Sequence, residues 1–109
     1  TPRDYARFAY FLMRDGNWNG NPLVPASWIQ QFKTASDYPN IRSNVDGYFD
    51  RECEGEYPPD LVRIYGSGIN AGYIVPSQDL ILIRTGRGDN THSSEVNTHL
   101  LQKLFSAVL

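Results

Sequence analysis

The chain has 109 residues, with ten Lys and Arg against twelve Asp and Glu and a pI near 5.5, so its overall charge favours neither nucleic acid nor an anionic membrane. Hydrophobic residues make up 40% and charged residues 20%, which excludes wholesale disorder. The lone cysteine, Cys53, excludes an internal disulfide and a thiolate-cluster metal site, and no apolar run approaches the roughly 20 residues of a membrane-spanning helix.

Thr1-Pro2-Arg3-Asp4 reads as a helix start. Thr1 can accept the Asp4 N–H, Pro2 suits the first helical position, and Asp4 suits the positive end of the helix dipole. Tyr5, Phe8, Ala9 and Leu12 then define one apolar helical face, and Gly16 is placed to end the helix in a left-handed conformation. Asn17-Trp18-Asn19-Gly20-Asn21 is a turn in which Asn and Gly supply positive φ. Pro25 opens a second short helix to Phe32, with Trp28, Ile29 and Phe32 apolar. Residues 34–60 show no clear period and read as a long loop, with a short strand expected near Tyr48-Phe49. Acids crowd its second half: Asp46, Asp50, Glu52, Glu54, Glu56 and Asp60, against Arg51.

Three strand-like runs follow, at 61–65, 71–75 and 80–84. Gly66-Ser67-Gly68 and Pro76-Ser77-Gln78-Asp79 separate them with turn chemistry, which predicts antiparallel neighbours. The near-continuous apolar run Leu80-Ile81-Leu82-Ile83 calls for cover on both faces. A final helix over 92–108 carries Val96, Leu100, Leu104 and Val108, joined by Leu101 and Phe105. The sum is an α+β fold: an antiparallel sheet of at least three strands packed by an N-terminal and a C-terminal helix.

Most candidate chemistry fails on geometry. Gly66-x-Gly68-x-x-Ala71 is a loose dinucleotide fingerprint, but a helix must follow it, and Gly72-Tyr73-Ile74-Val75-Pro76 is strand-like. Ser67 lies between two glycines, yet Tyr65 and Ile69 break the Gly-x-Ser-x-Gly elbow of esterases. His92, Glu95 and His99 have the wrong spacing for a HExxH zinc helix, and the acidic loop lacks EF-hand spacing. Cys53 has no adjacent His or cationic cluster to activate it. Tyr38-Pro39-Asn40 spells Tyr-x-Asn, which three letters in a loop do by chance. No Ser or Thr is followed three residues later by Lys, so no complete catalytic machine is expected within residues 1–109, and no cofactor or metal.

Two groups of residues together resemble a known family. The first is Thr1-Pro2-Arg3-Asp4-Tyr5-Ala6-Arg7-Phe8, Leu12, Gly16, Trp18-Asn19-Gly20, Leu23-Val24-Pro25 and Trp28. The second is Tyr65-Gly66-Ser67-Gly68, Tyr73-Ile74-Val75-Pro76, Asp79-Leu80 and Arg84-Thr85-Gly86. Their order and spacing resemble the C-terminal part of the serine β-lactamase-like superfamily: class C β-lactamases, penicillin-binding-protein-like peptidases, esterases and 6-aminohexanoate-oligomer hydrolases. The likeness spans the chain except residues 34–60.

The resemblance implies that residues 1–109 form a single fragment, the C-terminal portion of a β-lactamase-like domain. The Ser-x-x-Lys nucleophile and the Tyr-x-Asn or Tyr-x-Ser motif would lie N-terminal to Thr1, in a missing part of the same domain. The family's Lys-Thr-Gly strand is matched by Gly66-Ser67-Gly68, with Ser67 in the Thr place and Gly68 in the Gly place. Gly66 stands where the family has Lys or His, which favours an esterase, amidase or peptidase over a true β-lactamase. The Ile69 N–H would supply half of an oxyanion hole, where each donor typically contributes about 3 kcal/mol. Tyr65, Gly66, Ser67, Gly68 and Ile69 are thus the implied substrate-binding residues, acting on a small-molecule or peptide substrate. Arg84-Thr85-Gly86 spells a closer Lys-Thr-Gly variant, but two more strands should follow it and only the last helix does. The family also suggests a periplasmic or secreted setting.

Two other readings compete. Trp18, Trp28 and seven Tyr could line a glycan- or peptide-binding surface. A sheet lacking partner strands also has an incentive to pair with itself as a homodimer.

Overall fold

The computed structural model describes residues 1–33, 58, 60–65, 70–87 and 93–108. Helix α1 spans Pro2–Met13, strands β1 and β2 are Asn17–Trp18 and Asn21–Pro22, and helix α2 spans Ala26–Lys33. Strands β3 (Val62–Tyr65), β4 (Ala71–Val75) and β5 (Leu80–Arg84) form an antiparallel sheet in the order β3-β4-β5, and helix α3 (Ser93–Val108) closes the chain order. The fold is α+β, as the apolar periods predict. The strand expected near Tyr48-Phe49 lies outside the described residues.

The termini of α1 follow from local chemistry. Thr1 Oγ1 accepts the Asp4 N–H at 3.3 Å, and the Asp4 carboxylate accepts back from the Thr1 amine at 3.3 Å, closing a capping box. The same carboxylate takes Arg7 Nη1 at 2.8 Å. Its bond from Thr1 is the main reason its pKa lies below the ordinary aspartate value. At the other end the Asp15 N–H donates to Leu12 O and the Gly16 N–H to Phe11 O, a Schellman pair. The left-handed cap is therefore Asp15 (φ 54°), with Gly16 (φ 80°) following it, one residue earlier than the sequence suggests. Gln30 Nε2 donates to Asp15 Oδ1 at 2.8 Å, which ties the cap to α2.

Asn19 (φ 52°) and Gly20 (φ 83°) are the two central residues of the β1–β2 hairpin, where a tight turn requires positive φ at both. The Gly20 N–H is further held by Asn17 Oδ1 at 2.9 Å. A single 3-10 turn, Pro76–Gln78, joins β4 to β5. Asp60 anchors it, accepting from the Ser77 N–H at 2.6 Å and from Ser77 Oγ at 2.8 Å.

The sheet is covered on both faces. The register aligns Val62 with Ile74 and Ile81, and Ile64 with Gly72 and Ile83. This face packs on Ala9, Leu12 and Met13 of α1 and Ile29 of α2. The opposite face carries Ala71, Tyr73, Val75, Leu80 and Leu82, and packs on Leu101 and Phe105 of α3. The layers are helices, sheet and helix, with β4 buried throughout. Arg63, in register with Tyr73, is also buried.

Each helix buries part of the apolar face expected for it and leaves part exposed. In α1 the buried residues are Ala9, Leu12 and Met13, whereas Phe8 is 48% exposed. In α2 Ile29 is buried and Trp28 is 52% exposed. In α3 the contact is Leu101 and Phe105, with Leu100 and Val108 exposed. A three-stranded sheet offers each helix only a narrow contact, so an apolar arc wider than that contact leaves its flanks outside.

Candidate functional site

The implied substrate-binding segment begins at the end of β3. Tyr65 closes that strand in register with Ala71, and Ala71 pairs in turn with Arg84. Gly66, Ser67, Gly68 and Ile69 lie outside the described residues, so the site is approached from the strands on either side. Among the described residues β3 is an edge strand of the sheet, and an edge strand leaves its outer main-chain groups unpaired. Asn70 begins the return: its Oδ1 accepts the Gly86 N–H at 3.1 Å, joining the entry of β4 to the exit of β5.

A second contact holds β3 from the α1 side. Tyr5 Oη donates to the Ile64 carbonyl at 3.0 Å, one residue before Tyr65. Burial pushes this phenol above the ordinary tyrosine range, an effect the Gly72 backbone partly offsets. Gly72 is Ile64's register partner, and a Cβ there would lie 3.1 Å from Ile83 Cδ1. α1 thus positions the strand through a hydrogen bond that the sequence, with Tyr5 59 residues away, does not announce.

Tyr5→Phe should destabilise the fold by about 1 kcal/mol, the typical net contribution of one hydrogen bond. The raised pKa adds a pH dependence. Stability from the neutral phenol is complete below the unfolded tyrosine value near 10 and is lost as pH rises through the higher folded value. Urea titrations at neutral and alkaline pH should therefore show Tyr5→Phe closing the gap to the parent chain as pH climbs. A constant gap would count against this contact.

The other sequence candidates disperse. Strand β4 occupies Ala71–Val75, where a dinucleotide site needs a helix. No strand follows Arg84-Thr85-Gly86 among the described residues. His99 is exposed on α3, while His92 and the side chain of Glu95 lie outside the described residues, as do Tyr38, Asn40 and Cys53. Among the described residues no three His, Cys, Asp or Glu gather to hold a metal, and no helix is long and apolar enough to cross a membrane.

The structure adds two grooves that no motif marked. One, of about 410 Å³, is lined by Asp4, Arg7, Phe8, Phe11, Trp18 and Leu23. The other, of about 470 Å³, runs between α1 and β5 and is lined by Arg3, Ala6, Arg7, Tyr10, Ile81 and Ile83. The exposed side of α1 supplies both. The only sequence signal for the first was the helical spacing of Phe8 and Phe11, whose rings stack 6.4 Å apart.

No protein-family model matches the chain, and no curated protein matches it.

Proposed function

We propose that the chain is the C-terminal part of a β-lactamase-like serine hydrolase and supplies its substrate-binding strand. The observation that carries the reading is β3: braced by α1 and at the sheet edge among the described residues, it is followed in sequence by Gly66-Ser67-Gly68. An edge strand followed by glycines lets an acyl carbonyl lie against main-chain N–H groups, because no side chain stands in the way. The element order also supports it, with a helix, a tight hairpin and a short helix before the sheet and a covering helix after it.

In the intact enzyme a Ser outside residues 1–109, activated by Lys and Tyr, would attack an ester, amide or β-lactam carbonyl and form an acyl-enzyme. The Ser67 hydroxyl would orient the substrate, and the Ile69 N–H would meet the charge developing on the carbonyl oxygen. With Gly in place of Lys at position 66, the substrate need not carry a carboxylate for the strand to hold.

Residues 1–109 alone should therefore hydrolyse neither nitrocefin nor p-nitrophenyl acetate above the uncatalysed rate. Turnover by the purified chain that disappears in Ser67→Ala would overturn the reading, since it would make Ser67 itself the nucleophile. A Ser-x-x-Lys in the coding sequence upstream of Thr1 is the positive result expected.

One observation favours a second reading, an aromatic-rich glycan- or peptide-binding module. Trp18 and Trp28 are 41% and 52% exposed, so neither ring is spent on the core. Tyr73, by contrast, is buried and Tyr5 braces β3. A glycan array separates the two readings: saturable binding lost in Trp18→Ala supports the module, and an array without binding leaves the hydrolase strand.

A further inference from the structure

We propose that Asn19-Gly20, the centre of the β1–β2 hairpin, is a site of spontaneous deamidation, and that the Asn17 side chain restrains it. The inference is independent of the hydrolase reading and needs no co-reactant but water.

The chemistry follows from the two residues. A solvent base takes the Gly20 N–H proton, and the nitrogen attacks Asn19 Cγ. The N–Cγ bond forms, the Cγ–Nδ2 bond breaks, and Nδ2 leaves as ammonia with a proton returned by solvent. Water then opens the cyclic imide at one of its two carbonyls, leaving aspartate or isoaspartate at position 19. Nothing is oxidised or reduced. Glycine suits the attacking position because no side chain shields its nitrogen.

Asn19-Gly20 is the single Asn-Gly pair in the chain. Asn17 precedes the bulky Trp18, and Asn21 precedes Pro22, whose nitrogen has no hydrogen to lose. Asn70 precedes Ala71, which is buried in β4. Asn19 and Gly20 are both exposed, and among the described residues no heavy atom lies within 4 Å of a Cβ placed on Gly20. Solvent base and departing ammonia therefore have room.

One contact opposes the reaction. The Gly20 N–H donates to Asn17 Oδ1 at 2.9 Å, so the proton that must leave is held and the nitrogen is engaged away from Asn19 Cγ. Asp15-Gly16 offers the same ring closure, but it is held at both ends. The Gly16 N–H donates to Phe11 O at 3.0 Å, and Asp15 Oδ1 accepts from Gln30 at 2.8 Å. The Asn19-Gly20 pair has the single restraint from Asn17, a side chain that is itself exposed.

The product matters to the fold. Isoaspartate carries the main chain through Cβ and Cγ, which adds one carbon to a two-residue turn. The pairing of Trp18 with Asn21 does not survive that insertion. Trp18 and Leu23, which line one wall of a groove beside α1, then lose their fixed positions.

Peptide mapping by mass spectrometry tests this on the unmodified chain incubated at neutral pH. Asn19 should convert before any other asparagine, and the product should accept a methyl group from S-adenosylmethionine when an isoaspartyl methyltransferase is added. Asn17→Ala should deamidate about fivefold faster, the factor that one ordinary hydrogen bond contributes. Asn17→Asp keeps an acceptor oxygen and should run no faster than the parent. If Asn17→Ala does not fold, hydrogen exchange of the Gly20 amide in the parent decides, and it should be slower than in the urea-unfolded chain. Another asparagine converting first would overturn the proposal. So would a folded Asn17→Ala at the parent rate, or a Gly20 amide that exchanges as it does in urea.

Discussion

Ile74→Ala is expected to destabilise the chain by about 2–5 kcal/mol, the range for emptying a fully buried aliphatic site. Ile74 is 0% exposed, lies on the middle strand, and has Val62 and Ile81 as its register partners on either side. Above it stand Ala9, Leu12 and Met13 of α1, so the void would open where strands and helix meet. A domain of this size has only about 5–15 kcal/mol of net stability to lose. The variant should unfold at much lower urea, with the slope of its transition unchanged. Ile81→Ala removes the same atoms from a partly exposed strand and should cost clearly less. Equal losses at the two positions would mean that the centre of the core lies elsewhere.

Gly16→Ala is the second large effect, expected at about 2–4 kcal/mol. Two separate causes add. With φ at 80°, any L side chain at position 16 is strained by about 1–2 kcal/mol. The new Cβ would also stand 2.8 Å from the Val24 carbonyl oxygen and 3.2 Å from Ile29 Cγ1. The first of these is backbone, held by the Leu23 N–H to Gly16 O bond at 3.0 Å, so it cannot turn aside as a side-chain tip would. Gly20 is the internal control. Its φ of 83° carries the same strain, but nothing lies within 4 Å of its missing Cβ. Gly20→Ala should therefore lose only about 1–2 kcal/mol. Thermal melts of the two variants read the difference directly, at roughly 4–8 °C per kcal/mol for a small domain. If they melt together, the close approach of Val24 is not what requires glycine at position 16.

These two residues differ in how far the sequence revealed them. Gly16 was legible as the end of α1, because a glycine after an apolar helical stripe is a local signal. That Val24 closes over Gly16 was not, since it depends on how the chain folds back after the β1–β2 hairpin. The candidate strand behaves alike. β3, β4 and β5 could be read from β-branched runs and turn residues to within a residue of their observed bounds. The brace from Tyr5 to Ile64 O could not, because it joins residues far apart in the chain.

What the amino-acid sequence determined by itself was the kind and order of the elements: capping residues at Thr1 and Asp4, the Asn19-Gly20 turn, three strands and a closing helix. Each is set by interactions within a few residues, and short-range sterics and hydrogen bonds suffice to specify them. Only the tertiary structure decided which flank of each helix is buried, leaving Phe8 and Trp28 outside and drawing in Met13. Those outcomes depend on where one element's narrow contact falls on another, and a periodic stripe wider than that contact does not specify it.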